Sequence, residues 1–194
     1  MRSLAQIILG AGTPPNGNTR GANSGFFPSG GWHGNDTIWR VVDDLNRILF
    51  FYDQVKQRLA DRPQRRYFAI VDGIVAMEGN GPLRGSPKPC GLILAGEDPL
   101  AVDVVSTTLM GFDWRHIRML RGIAMRENSP TYSEFCEDEA AIELRSNDRF
   151  WDSMEALKRS HLGFQPAAGW RGFVEQKSCG ESESMTAYLN HSRT

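Results

Sequence analysis

The chain has 194 residues, of which 40% are hydrophobic and 23% charged, enough for one globular domain with an ordinary core. Its 22 basic and 23 acidic residues leave a net charge of -1. That excludes the strong field that draws a protein to nucleic acid or to an anionic membrane. The longest apolar run, Ile48 to Tyr52, is far short of the ~20 residues that a membrane helix needs, so a soluble, cytoplasmic chain is expected.

The N-terminus, Met1-Arg-Ser-Leu-Ala-Gln-Ile-Ile-Leu9, has a short apolar stretch broken by Gln6 and reads as a strand or helix fragment rather than a signal peptide. Residues 11–34 are rich in Gly, Pro, Asn and Ser and lack apolar periodicity, so residues 1–34 are assigned to a loop region. Asn35 or Asp36 is expected to cap a helix. Its apolar residues run through Ile38, Val41, Val42, Leu45, Ile48, Leu49, Tyr52, Val55 and Leu59 at helical spacing, and Asp43 and Arg47 can pair on its polar side. Asp61-Arg-Pro-Gln64 breaks that pattern.

A strand over Tyr67–Val71 follows, then a Gly/Pro-rich loop over 73–89 and a second strand over Gly91–Ala95. Asp98 caps the next helix, with Pro99 at its first position, and Gly111 closes it after Met110. Shorter helices are expected over Trp114–Met125 and Phe150–His161. The polar residues from Gln176 read as a mobile tail. The chain is thus expected to be a single α/β domain over 35–175, a small mixed sheet flanked by helices.

The loop Asp72-Gly-Ile-Val-Ala-Met-Glu78-Gly-Asn80-Gly81-Pro82 carries the clearest signal of a site. Gly73, Gly79 and Gly81 let the backbone approach a ligand closely. Asp72 and Glu78 offer carboxylate oxygens, and Asn80 offers a donor and an acceptor. Asp103 interrupts an otherwise apolar helix and needs a partner, for which Thr107 one turn later is a candidate. A domain of enzyme ancestry with a divalent cation held by Asp72, Glu78 and Asp103 is the leading reading. Oxygen ligands favour Mg²⁺, Mn²⁺ or Ca²⁺. Gly79, Asn80 and Gly81 would then orient a small anionic ligand. His33, Asn35 and Asp36, before a helix N-terminus, form a second candidate anion site. Each of these residues also has an ordinary structural alternative, as a helix cap or a loop anchor. Asp98 and Asp103, about 140° apart around a helix, do not form a carboxylate pair. Asp72 and Asp98 share a sheet edge only if their strands are parallel.

Cys90, Cys136 and Cys179 contain no Cys-x-x-Cys pair, so an iron–sulfur cluster or zinc site from this chain alone is not expected. The dinucleotide fingerprint, the Walker loop, the nucleophile elbow and the zinc-protease motif are all missing.

Several motifs in order carry a family resemblance: Gly34-Asn-Asp-Thr-Ile-Trp-Arg40, Asp44-Leu-Asn46, Asp72–Pro82, Asp98-Pro-Leu-Ala-Val-Asp103, Leu109-Met-Gly-Phe-Asp113 and Gly169-Trp-Arg-Gly172. Together they resemble domain-of-unknown-function family 362, over most of residues 30–175. The resemblance implies an α/β fold and a short or N-terminally truncated member without the ferredoxin-type module that some members carry. It adds weight to Asp72, Glu78, Asn80 and Asp103 as a shared polar site. It also raises an iron–sulfur protein as a partner, which would make the chain a redox accessory. It names no reaction. A non-catalytic interaction or structural domain is the third expectation.

Overall fold

The computed structural model describes residues 31–125, Ser133 and residues 138–176. Cys136, Cys179, most of the expected N-terminal loop region and the tail beyond Gln176 lie outside the described residues.

Helix α1 spans Ile38–Phe51. The expected cap is replaced by Thr37, whose own side chain makes no capping bond. Asn35 Oδ1 instead accepts the Thr37 N–H and hydroxyl at 3.0 and 2.8 Å. The helix also ends earlier than its apolar pattern. Asp53 Oδ1 accepts the N–H groups of Val55 and Lys56 at 2.9 and 3.1 Å, a local turn that competes with helix. Strand β1 (Tyr52–Asp53) therefore folds back on β2 (Arg58–Leu59). The orientation of α1 is unusual. Val42, Asp43, Phe50 and Phe51 are buried, while Val41, Leu45, Ile48 and Leu49 are exposed, so much of the apolar stripe faces away from the core.

Strands β3 (Ala69–Asn80) and β4 (Arg84–Gly96) form one long antiparallel hairpin. In place of a mixed sheet, both ladders are antiparallel, because the connection from Asp72 to Cys90 lacks the crossover helix that a parallel pair needs. In place of a loop over 73–89, the strands run on to a turn at 81–83. The glycines and prolines that suggest a loop have other uses here. The register shifts between Gly73 and Val75, where Cys90 and Gly91 together oppose Ile74, and Gly91 takes a φ of +67° at this bulge. Pro87 and Pro89 lie on an edge strand, where a missing N–H is tolerated.

The core lies between the inward face of this hairpin and the helices that follow. Helix α2 (Pro99–Met110) is capped as expected: Asp98 Oδ1 accepts the Leu100 and Ala101 N–H groups at 2.9 and 3.0 Å, and Gly111 closes the helix at φ +91°. A Cβ on Gly111 would also stand 2.6 Å from His161 Nδ1. Leu100, Val104, Val105 and Leu109 pack with Phe50, Phe51, Trp114, Leu120 and Leu157. Helices α3 (Arg118–Ala124) and α4 (Met154–Arg159), shorter than their sequence pattern, complete this layer. Buried Glu139 ties it together. Its carboxylate accepts from the Trp114 indole and Arg115, each at 2.7 Å, and also from Lys158. Burial pushes the Glu139 pKa up, but the bonds from Lys158 and Trp114 outweigh this and hold it below the ordinary carboxylate value. The α/β class expected from the sequence is therefore present, with four α-helices and two small sheets among the described residues.

Candidate functional site

The acidic segment lies along β3 rather than in a loop. Asp72 is exposed, pairs across the ladder with Ile93 and accepts the Ile74 N–H at 3.1 Å. Glu78 is six positions on, about 20 Å along an extended strand. In an unbroken strand the two would share a face. Here burial alternates in one phase up to Gly73 and in the other from Ala76, so Asp72 faces out and Glu78 is turned in. The bulge thus separates the two acids in direction as well as in distance.

Glu78 and Asn80 hold the segment that runs past the hairpin tip. Glu78 Oε2 accepts from Lys88 Nζ and from the Gln165 N–H, both at 3.0 Å. Lys88 Nζ reaches on to the Gly163 carbonyl at 3.3 Å. The Gly79 N–H donates to the Gln165 carbonyl at 2.9 Å, and Asn80 Oδ1 accepts the Ala168 N–H at 2.8 Å. Burial raises the Glu78 pKa, but the Gln165 and Lys88 bonds outweigh it, and the net shift is downward. Gly81 is exposed, at the turn. Nothing in the sequence near Glu78 points to these partners, apart from Lys88 standing between two prolines.

Asp103 lies on α2, half-buried. Asp98 lies just beyond the base of the hairpin and also accepts the Ser133 hydroxyl at 2.8 and 2.7 Å. Asp72, three residues in from that base, is about five residue rises (~16 Å) from Asp98. Among the described residues, no three His, Cys, Asp or Glu side chains gather as a metal would require.

The His33 segment forms a second clamp. The His33 N–H donates to the Gly169 carbonyl at 2.8 Å, and Nε2 lies 3.1 Å from the His116 carbonyl. The imidazole stacks on Phe173 at 4.5 Å between centroids and meets Trp170 edge-on at 5.6 Å. Asp36 accepts from Arg40 and the Trp39 indole, each at 2.7 Å, and lies 3.2 Å from Arg118. Arg40 and then Trp39 pull the Asp36 pKa down to about 2. Residues 31–40 are in this way fastened to 116–118 and to 169–173.

The outward face of the hairpin is of a different kind. Phe68, Ile70, Ile74, Val75, Met77 and Ile93 are 49–68% exposed, and Asp72 is the charge among them. The residues on the other face, Ala76, Leu92 and Leu94, pack against the core. The signal for this was present in the run Tyr67–Val71, whose apolar residues do not alternate with polar ones. Such a strand belongs in a sheet covered on both faces. Among the described residues no helix is long and apolar enough to cross a membrane.

Comparison with known proteins agrees with the motif reading. A sequence model of the family "Domain of unknown function (DUF362)" matches residues 18–108. The thylakoid-associated protein sll1697 of Synechocystis sp. is 47% identical over 45 residues, which are 23% of this chain and 14% of that protein. The matched region is thus a small part of that relative. No solved structure matches the chain. The family expected from the motifs, DUF362, is thus the one whose model matches residues 18–108.

Proposed function

We propose that this chain is a non-catalytic interaction domain, whose hairpin presents its outward face to another polypeptide. The observation that carries the reading is the exposed row Phe68, Ile70, Ile74, Val75, Met77 and Ile93. A contiguous apolar patch of this kind marks a contact site more often than a bare surface. Support also comes from the polar residues. Glu78, Asn80, Asn35 and Asp36 have their oxygens on N–H groups and cations of the chain itself.

The rival reading is a divalent cation, Mg²⁺, Mn²⁺ or Ca²⁺, with an anionic ligand beside it. Direct cation ligands stand within about 2.0–2.6 Å, so Asp72 and Glu78 would need a large rearrangement to share one. Thermal unfolding of the wild type and of the Asp72→Asn/Glu78→Gln variant, each with and without these cations, separates the two readings. The interaction reading expects no cation-dependent gain that the variant loses. A cation that stabilises the wild type alone, by ~2.7 kcal/mol at a hundredfold excess over Kd, would overturn it.

A further inference from the structure

We propose that Asn80 is a site of spontaneous deamidation, and that the segment docked on the hairpin tip holds the reaction back.

Asn80 ends β3 and Gly81 opens the turn to β4, and both are exposed. Gly81 has no side chain to shield its backbone nitrogen. That nitrogen attacks Asn80 Cγ and gives up its proton. The Cγ–Nδ2 bond breaks, and the side-chain amide leaves as ammonia carrying that proton. Water then opens the cyclic imide at either carbonyl, which leaves an aspartate or an isoaspartate. Water is the one co-reactant.

The segment 161–168 controls the reacting amide. The Ala168 N–H donates to Asn80 Oδ1 at 2.8 Å, and this bond must break before Cγ can turn onto the Gly81 nitrogen. The segment is fastened on both sides. The Gln165 N–H donates to Glu78 Oε2 at 3.0 Å, and the Gln165 carbonyl accepts the Gly79 N–H at 2.9 Å. The N–H groups of Leu162 and Phe164 donate to the Leu109 and Met110 carbonyls, each at 2.8 Å. The products weaken this docking. Either one adds a carboxylate two residues from Glu78, whose own charge is met by Lys88. The isoaspartate also lengthens the main chain at the Asn80–Arg84 ladder pair. A tip that has once reacted therefore redocks less well.

Ala168→Pro tests this, because it removes the N–H that guards Asn80. Ala167, at φ -58° and ψ 150°, already has the backbone of a residue before proline, and Ala168 is the first residue of a short 3-10 helix. The full chain is aged at mildly alkaline pH until Asn16, the asparagine of its other Asn-Gly pair, converts. Mass spectrometry follows the tryptic peptide Tyr67–Arg84, in which Asn80 is the one asparagine. The expected result is conversion of Asn80 about two- to tenfold faster in Ala168→Pro than in the wild type, with the Asn16 rate unchanged. Glu78→Ala, which removes the Gln165 anchor, should act in the same direction if the proline disturbs folding. Gly81→Ala should suppress conversion in every background. Its Cβ would stand 2.9 Å from Met77 Sδ, the end of a flexible side chain that can move aside. An Asn80 rate that is equal or slower in both docking variants overturns the guarding role of the segment. An Asn80 that stays intact in both variants while Asn16 converts overturns the site.

Discussion

Helix α2 and the outward face of the hairpin are built from the same kinds of residue and have opposite surroundings. Leu100 and Val104 have no exposed surface, whereas Ile70 and Ile93 keep about two-thirds of theirs. The difference is one of layers. Helix α2 lies between the hairpin and the other helices, so its apolar residues meet neighbours on all sides. The hairpin has the core on one face only. Apolar composition alone therefore does not say what a residue contributes. Its second neighbour decides, and among the described residues the outward face of the hairpin has none.

The sharpest break of this comparison is Leu100→Ala. It should cost about 2–5 kcal/mol in denaturant unfolding, as expected for a cavity in a closed core. A cost below ~1 kcal/mol would mean that the core around α2 is as loosely covered as the hairpin.

Glu139→Gln should follow, at about 1–3 kcal/mol, because a buried hydrogen-bonded charge is lost amid its donors. It carries a pH signature. The Glu139 pKa in the fold lies below its ordinary value of 4.5. Its stabilisation is thus fully present above that value and is lost as pH falls through the lowered one. Melting followed from neutral to acid pH should show a smaller acid loss in the variant than in the wild type. Parallel curves would assign the acid sensitivity to other groups, among them Glu78, whose shift has the same sign.

Asp98→Ala removes the α2 cap together with the partner of Ser133 and should cost about 1 kcal/mol. Asp72→Asn is the smallest expected change, within ~0.5 kcal/mol, because the carboxylate is exposed and, among the described residues, has only a short-range bond from the Ile74 N–H. A larger loss would place a further partner on the hairpin face and narrow the contrast between the two regions.

These regions also differed in how far the sequence announced them. Helix α2 was legible because its limits are local: Asp98, Pro99 and Gly111 act within a few residues of themselves. The hairpin was legible as two short strands only. Gly73, Gly79 and Pro87 carry the same local signal in a loop as in a bulged edge strand, and the cross-strand register that separates these cases is not local. The end of α1 was hidden for a similar reason, since Asp53 stops a pattern that apolar spacing alone would continue. Of the candidate site, the residues that matter to the fold were visible in Glu78, Asn80, His33 and Asp36. Their partners were not. Gln165 and Ala168 are 87 and 88 residues from the side chains that hold them.

That separation has a consequence during synthesis. The hairpin can close as soon as Gly96 leaves the ribosome, but the segment that locks its tip is made much later. At ~5–20 residues per second, the 87 residues between Glu78 and Gln165 take roughly 4–17 s to emerge. Until then Glu78 has its bond from Lys88 within the hairpin but lacks the Gln165 N–H, and Asn80 lacks the Ala168 N–H. The outward face is thus formed before the segment that locks the hairpin tip is made.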